Sequence, residues 1–294
     1  MDAFRLDARQ ARRAFERAAV QGADSAVLQS EIERRMLERL DYVRLLPKRV
    51  LDAGCGPGRG LRLLRSRYPQ AGLIGVDFAQ GAVRTASRSE SFAGRVRRLF
   101  RGALSANLCA DFAHLPLSSG AVDMVWSNLA LAWAEDPLAA LREFRRVLAT
   151  GGLLMFSSYG PDTLKELRSA FAAGSPARHV HAFIDMHDVG DMLVACGFAE
   201  PVMDVETITL TYARVEDLAR ELRASGQTCA ARDRSLALTA PGTWQRMESA
   251  YEMERKNGRL PATIEIVYGH AWKGEPRVAD DGRQIMKWAA KIPG

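Results

Sequence analysis

The spacing of apolar residues predicts that the chain begins with two helices. Between Ala11 and Leu46, apolar residues recur at helical intervals, with Arg and Glu between them. These apolar positions are Phe15, Ala19, Val27, Leu28, Ile32, Met36, Leu37 and Leu40. Because Gly22 interrupts the pattern, we expect one helix before it and one after it.

After Pro47 the pattern changes to short apolar strands that alternate with amphipathic helices. The predicted strands span 49–52, 73–77, 106–109, 122–126 and 151–157, and the helices between them span 61–67, 79–89 and 137–148. Strand, glycine-rich turn and helix follow one another in the order that starts a βαβ unit. We therefore predict an α/β fold with a doubly wound, mostly parallel sheet.

Two more strands are predicted near the end of the chain, at 202–212 and 262–272. Their alternating β-branched residues favour an antiparallel pair added to one sheet edge. Helices are predicted at 162–173, 188–196 and 215–224, with a loose stretch at 226–242. We accordingly divide the chain into a helical lid (1–45), a catalytic domain (46–273) with a helical insertion near 160–243, and a polar tail (274–294).

The composition is that of an ordinary globular protein and narrows the possible classes. Of 294 residues, 47% are hydrophobic and 26% are charged, which excludes a disordered or fibrous chain. The 4 cysteines form no CxxC pair, so we expect neither a disulfide framework nor a zinc site. No stretch reaches the ~18 apolar residues of a membrane span, and the charged N-terminus differs from a signal peptide. We expect a cytoplasmic protein with no membrane partner.

The net charge of +6 is concentrated in one basic run. Its arginines are Arg84, Arg88, Arg95, Arg97, Arg98 and Arg101. Such a run is typical of a solvated helix face, but an acidic protein surface would also bind it. Only Phe92 and Phe100 lie among these arginines, and no nucleic-acid-binding module accompanies them, so we do not expect nucleic acid as a partner.

A glycine-rich turn after the first strand is the first indication of a binding site. Gly54, Gly56 and Gly58 alternate with other residues, and glycine allows backbone N–H groups to approach a ligand closely. The spacing does not fit the dinucleotide fingerprint G-x-G-x-x-G, because its third glycine would fall on Arg59.

Acidic residues at the strand ends indicate which ligand the turn serves. Asp77 ends the second strand, where a carboxylate can accept both hydroxyls of a ribose. Asp52 directly precedes the glycines, where it would repel a pyrophosphate but attract a cation. Asp111 and Phe112 follow the third strand and are suited to hydrogen-bond and cover an adenine. Together these residues describe a nucleoside that carries a cation.

These motifs resemble those of the class I S-adenosylmethionine-dependent methyltransferases over residues 46–157. The resemblance implies the Rossmann-like sheet of that class, S-adenosyl-L-methionine as cofactor, and an enzyme. It places Gly54 and Gly56 beside the methionine part, Asp77 on the ribose, and Asn128 near the sulfonium. The complete set of predicted cofactor-binding residues is Asp52, Gly54, Gly56, Gly58, Asp77, Phe78, Asp111, Phe112 and Asn128.

Motifs outside this core resemble one family more closely, from about Arg13 to Lys273. The segments 126–133, 156–167, 183–190 and 260–272 are similar to those of the malonyl-acyl carrier protein O-methyltransferases of biotin synthesis. That resemblance implies methyl esterification of the free carboxylate of a malonyl thioester, with malonyl-acyl carrier protein as substrate and partner.

One departure leaves alternatives open. Family members carry R-A-A-x-x-Y-D near the N-terminus, whereas this chain has Gly22 and Ala23 in place of the Tyr and the Asp. Tyr159 or Trp133 could compensate, or the substrate could differ. The alternatives are a small-molecule methyltransferase, an assembly factor that modifies a protein arginine, and a binding protein that has lost catalysis.

A malonyl carboxylate is already ionised at neutral pH, so the expected chemistry is alignment and desolvation without a general base. We predict Asn128, Trp133 and Tyr159 as catalytic residues. Groups that could select the anion are His181, His187, Arg142, Arg145 and Arg146. None of the 5 histidines has metal-ligand spacing, and we expect no metal.

Overall fold

The computed structural model describes residues 5–21, 27–88 and 105–275. Several features discussed above lie outside these residues: Gly22 and Ala23, the arginines at 95, 97, 98 and 101, Phe92 and Phe100, and almost all of the polar tail. Within the described part, none of the helices is both long and apolar enough to cross a membrane.

Seven strands form one sheet in the order β3-β2-β1-β4-β5-β7-β6. They are β1 (Arg49–Ala53), β2 (Gly72–Asp77), β3 (Ala106–Cys109), β4 (Val122–Ser127), β5 (Leu148–Tyr159), β6 (Ala199–Tyr212) and β7 (Leu260–Trp272). Strands β1 to β5 pair in parallel, and β7 runs antiparallel to both β5 and β6. The predicted fold class, a mostly parallel sheet with an antiparallel C-terminal edge, is confirmed.

The described helices surround this sheet. They are α1 (Ala8–Gln21), α2 (Val27–Arg39), α3 (Arg59–Arg67), α4 (Gln80–Arg88), α5 (Pro137–Val147), α6 (Lys165–Ala172), α7 (Met186–Ala195), α8 (Val215–Ala224) and α9 (Pro241–Glu252). Short 3-10 turns span Leu40–Tyr42 and Leu131–Trp133. Helix α9 was not predicted, although Pro241 in its first turn and buried Met247 and Tyr251, four residues apart, are ordinary helix signals.

The sheet separates two apolar clusters because successive strand residues point to opposite faces. Val50, Trp126 and Met155 belong to the cluster that contains α2 and α3. Leu51 and Val125 belong to the cluster on the opposite face, which contains α5. The rigid sheet thus fixes where the loops at its carboxyl end begin.

The two N-terminal helices are attached differently. On α2, Ile32 and Met36 are fully buried, and the ion pairs Arg35–Glu206 and Arg39–Asp204 link the helix to β6. Helix α1 packs through Ala11 and Phe15 on a small cluster with Trp133. Within the predicted lid 1–45, α2 is therefore anchored in the core, and α1 lies over the carboxyl end of the sheet.

Candidate active site

A cavity of about 460 Å³ lies at the carboxyl ends of β1, β2 and β4. In a parallel sheet this is the edge where loops carry ligand-binding residues. The residues that line it include Gly54 and Gly56 of the glycine turn, Asp52, Asp77, Phe78 and Asn128. We call it the donor cavity.

Two glycines of the turn allow the close approach of two different elements, the loop after β4 and helix α4. Gly54, Gly56 and Gly58 all have positive φ angles (+80°, +50° and +82°), a backbone conformation that is strained for residues with a side chain. A Cβ on Gly54 would stand 2.2 Å from the Cβ of Ala130, so this glycine allows the loop after β4 to approach β1. A Cβ on Gly58 would stand 3.0 Å from that of Ala86. Gly58 therefore serves the packing of α4 and does not line the donor cavity.

Asp77 holds the glycine turn. Its Oδ2 accepts a hydrogen bond from the N–H of Gly56 (2.9 Å), and its Oδ1 accepts one from the N–H of Ala79 (2.8 Å). Burial raises the pKa of Asp77, whereas these two hydrogen bonds favour the ionised form. Each carboxylate oxygen has a second lone pair, so Asp77 can hold the turn and still accept ribose hydroxyls.

Two buried carboxyl groups lie at the inner end of the donor cavity. Asp52 and Glu33 are only 2% and 4% exposed, respectively. Burial, and then the negative charges of Glu33 and Asp77, raise the pKa of Asp52 well above its ordinary value. Burial also raises the pKa of Glu33 to about 7. A positively charged ligand would offset the free-energy cost of burying both groups in their ionised form.

Glu33 was not among the predicted site residues, although a signal was present in the sequence. Gln29, Glu33, Met36 and Leu40 follow the i, i+4, i+7 spacing of one helix face. Met36 and Leu40 are fully buried, so the polar residues on the same face are buried as well or face a cavity. An acid on an apolar helix face indicates a site.

Aromatic rings form the outer wall. The ring of Phe15 lies 5.6 Å from that of Phe78 and 5.0 Å from that of Trp133, edge to face in both cases. All three residues line the donor cavity. Phe15 was not among the predicted site residues, because its place in a helical apolar pattern equally fits core packing.

Asn128 is held by strand β5 and by helix α2. Its Oδ1 accepts a hydrogen bond from Ser157 Oγ (2.8 Å), and its Nδ2 donates to the carbonyl oxygen of Gln29 (3.1 Å). Leu129, the next residue, has a positive φ of 58°. The chain thus turns sharply here and presents Asn128 to the donor cavity.

Asp111 and Phe112 are not brought to this cavity. Asp111 is exposed, and its Oδ1 accepts a hydrogen bond from the N–H of Ala113 (2.8 Å). Phe112 is buried, with its ring 5.8 Å from that of Phe144. The aromatic ring finds an apolar environment on the α5 side of the sheet, which accounts for its position.

A second cavity, of about 180 Å³, adjoins the first. Trp133 and Gln227 line both cavities, whereas Tyr159 lines only the second. The Tyr159 hydroxyl donates a hydrogen bond to Gln227 Oε1 (2.9 Å). Of the three predicted catalytic residues, Asn128 therefore belongs to the donor cavity, Tyr159 to the second, and Trp133 to both. We call the second one the acceptor cavity.

The acceptor cavity differs from the donor cavity in charge. Among its described lining residues there is no Asp or Glu, and Arg223 is exposed at its wall. His181 also lines it, with Nε2 accepting from the N–H of Ala230 (3.2 Å). Burial lowers the pKa of His181 to about 4, so its ring is neutral at pH 7. An anion can enter this cavity without meeting a like charge.

The other predicted anion-binding groups lie elsewhere. His187 is exposed in the first turn of α7, and Arg142 is exposed on α5. Arg145 donates to the carbonyl oxygen of Gly197, and Arg146 pairs with Glu143. None of these four residues lines either cavity. Of the five predicted anion-binding groups, only His181 lies in the site.

Comparisons with known proteins agree with this geometry. Residues 51–156 match a family model described as "Methyltransferase domain". The malonyl-[acyl-carrier protein] O-methyltransferase of Laribacter hongkongensis is 51% identical over 99% of both chains. That of Gallionella capsiferriformans is 49% identical over 99% of this chain and 100% of its own. Among solved structures, the YcgJ protein of Bacillus subtilis has a TM-score of 0.55 and 16% identity, over 82% of this chain and 99% of that one, which shows a shared fold.

Such identity over nearly the full length of both chains exceeds what a shared fold alone would give. It extends over both cavities and over the C-terminal strands β6 and β7. The chain belongs to the malonyl-[acyl-carrier protein] O-methyltransferase family.

Proposed function

We propose that this protein transfers the methyl group of S-adenosylmethionine to the free carboxylate of a malonyl thioester, with malonyl-acyl carrier protein as the preferred substrate, at the start of biotin synthesis. The observation that carries the proposal is a pair of adjoining cavities that differ in their acidic residues. Three buried acids, Glu33, Asp52 and Asp77, line the donor cavity, whereas no acid lines the described wall of the acceptor cavity. Arg59 and Arg62 also line the donor cavity, but their side chains extend towards solvent. A cation and an anion would be drawn to neighbouring sites.

The donor cavity fits S-adenosylmethionine. Asp52 Oδ2 is buried without a hydrogen-bond donor, as expected of a group that awaits a cationic ligand. Asp77 would hold the ribose, Gly54 and Gly56 would lie along the methionine part, and Phe78 and Asn128 would complete the wall. When bound, S-adenosylmethionine supplies an electrophilic methyl group on a sulfonium.

The residues of the acceptor cavity position an anion and exclude water. A malonyl carboxylate needs no general base, and the described lining offers only a weak one: burial lowers the pKa of His181 to about 4, which makes its ring a poor proton acceptor, and burial raises the pKa of Tyr159. With its oxygen bonded to Tyr159, Gln227 retains its amide N–H groups as donors to a carboxylate. Trp133 stands between the cavities, where its apolar ring limits water near the carboxylate.

The same charge pattern disfavours a protein arginine as the acceptor. A guanidinium entering the acceptor cavity would meet no carboxylate among the described lining residues and would approach Arg223. The names of the relatives support malonyl-acyl carrier protein instead.

A methyl-transfer assay tests the proposal. Purified protein would be given S-adenosylmethionine with malonyl-acyl carrier protein, malonyl-CoA or free malonate, and methyl esters would be identified by mass spectrometry. Acetyl-acyl carrier protein is the matched control, because it has the same carrier without the free carboxylate. We expect methyl ester with both malonyl thioesters, more with the carrier protein, and none with the acetyl control. Product with the acetyl control, or none with any malonyl thioester, would overturn the proposal.

A further inference from the structure

Gly60, in the first turn of α3, is the point where two buried carboxyl groups meet. A Cβ on Gly60 would stand 2.6 Å from both Asp52 Oδ2 and Glu33 Oε1. The two oxygens therefore lie within about 5 Å of one another, close enough to interact strongly in a buried site. One is supplied by β1 and the other by α2, so a glycine is needed between them.

The surroundings of this pair do not neutralise it. From α3, Arg59 Nε lies 4.0 Å from Glu33 Oε2, Arg62 also acts on Glu33, and the N–H of Leu61 donates to Asp52. From β2, Asp77 adds a further negative charge near Asp52, and from β4 the indole of Trp126 faces Glu33. Both arginine side chains extend towards solvent, where water weakens their effect.

Two acceptors on residues that line the donor cavity also lack donors. Within the described structure, Asp52 Oδ2 and Gln29 Oε1 are buried and accept no hydrogen bond. Together with the Glu33 carboxyl, they offer three acceptors and an excess of negative charge to one ligand group. A primary ammonium has three N–H donors and one positive charge, which matches this arrangement.

We propose that Glu33 and Asp52 share a proton in the free protein, and that the α-ammonium of the donor's amino-acid end replaces this proton, which is released to solvent. The proposal rests on the assignment of this cavity to S-adenosylmethionine. It makes Glu33 a binding residue contributed by α2, and it makes donor binding dependent on pH. Affinity should rise as pH increases through about 7, because fewer protein molecules then carry the proton that the ammonium must displace.

Calorimetry with S-adenosylhomocysteine tests the proposal without turnover. This product has the ammonium but no sulfonium, and 5′-methylthioadenosine is the matched ligand that has the nucleoside without the amino acid. Each would be titrated near pH 7 in buffers of different ionisation enthalpy, because the slope of observed enthalpy against ionisation enthalpy counts the protons exchanged. We expect net proton release with S-adenosylhomocysteine and none with 5′-methylthioadenosine.

Two variants complete the experiment. Glu33→Gln should reduce proton release and weaken the binding of S-adenosylhomocysteine by about tenfold. Glu38→Gln on the same helix makes the same change of charge at an exposed position and should behave as the wild type. If Glu33→Gln does not fold, the comparison of the two ligands on the wild-type protein still decides. S-adenosylhomocysteine binding without proton release, or equal release with both ligands, would overturn this inference alone; no binding of S-adenosylhomocysteine would overturn the donor assignment as well.

Discussion

The hydroxyl of Tyr159 donates a hydrogen bond of 2.9 Å to the side-chain oxygen of Gln227. Tyr159 ends β5 at the carboxyl edge of the sheet, and Gln227 follows α8, so the bond fixes a loop residue on the most rigid part of the fold. Because Gln227 lines both cavities, its orientation affects the point where donor and acceptor groups would meet. This bond links the sheet to the predicted helical insertion at 160–243.

Replacing Tyr159 with Phe should impair use of the acceptor substrate and leave binding in the donor cavity intact. The change removes one hydrogen bond of ~0.5–1.5 kcal/mol and frees Gln227 to rotate, so kcat/KM for malonyl-acyl carrier protein should fall about two- to tenfold. The Kd of S-adenosylhomocysteine should stay unchanged, since Tyr159 does not line the donor cavity.

Tyr212→Phe is the matched control for this variant. The Tyr212 hydroxyl also donates a hydrogen bond of 2.9 Å, to Glu221, and Tyr212 lines neither cavity. Steady-state kinetics and calorimetry on both variants separate the two effects. An equal loss of kcat/KM in both would show that Tyr159 acts only through stability.

Asp77→Ala should strongly weaken binding in the donor cavity. The change removes a carboxylate that would bind the ribose and that already holds the N–H groups of Gly56 and Ala79. A hydrogen bond to a charged group contributes ~1.5–3 kcal/mol, so the Kd of S-adenosylhomocysteine should rise about 10- to 100-fold.

Asp123→Ala provides the comparison for Asp77. Asp123 accepts two backbone hydrogen bonds of 2.8 Å, from Lys48 and Arg49, at the opposite end of the sheet. Both variants should lower the melting temperature, but calorimetry should show loss of affinity only for Asp77→Ala. An unchanged Kd in Asp77→Ala would remove this residue from the binding site.

Gly54→Ala should destabilise the fold much more than Gly151→Ala. Both glycines have positive φ, +80° and +75°, so both substitutions carry a backbone cost of ~1–2 kcal/mol. Only at Gly54 does the new Cβ meet another atom, the Cβ of Ala130 at 2.2 Å; at Gly151 nothing lies within 4 Å. Overpacking adds ~1–3 kcal/mol, which urea unfolding can resolve. Equal losses would mean that the loop after β4 moves aside freely.

The strand order, and the helix order apart from α9, were predictable from sequence because hydrophobic periodicity is a local signal. The ends of β1, β2 and β4 were predicted to within one residue, which is why Asp52, Asp77 and Asn128 were placed at one edge; β5 extends two residues beyond its predicted end. The sequence could not show which face a loop residue would take. Phe112 directly follows Asp111 after β3, but it packs on Phe144, which lies on α5, far along the chain. Long-range contacts of that kind decide where an aromatic ring lies.

When the donor cavity is occupied, the amides of α1 should gain more protection from hydrogen exchange than those of α2. Phe15, Ala18 and Ala19 of α1 line the donor cavity, and α1 contributes Ala11 and Phe15 to a small apolar cluster. Buried Ile32 and Met36 already anchor α2 in the free protein. In hydrogen exchange with and without S-adenosylhomocysteine, the amides of α1 should gain protection, whereas those of α2 should change little because their exchange is already slow. Gains confined to α2 would contradict this prediction.

Arg223 should select for the anionic acceptor. It is exposed at the wall of the acceptor cavity, on α8, and it is the only fully charged cation among the described lining residues, because burial lowers the pKa values of His179 and His181. Acyl carrier protein and the malonyl carboxylate are both negative, so Arg223→Gln should raise the KM for malonyl-acyl carrier protein by about two- to fivefold, as expected for one exposed charge.

Arg220→Gln tests whether position, and not charge alone, is responsible. Arg220 lies on the same helix, is exposed, pairs with Asp217 and does not line the cavity, so its loss should leave the KM nearly unchanged. The KM difference between Arg223→Gln and the wild type should also shrink with added salt, because the screening length falls from ~10 Å at 0.1 M to ~3 Å at 1 M. A KM that rises equally in both variants would assign the effect to the overall positive charge of the protein. A difference that persists at 1 M salt would instead indicate that Arg223 contacts the acceptor directly in a desolvated position.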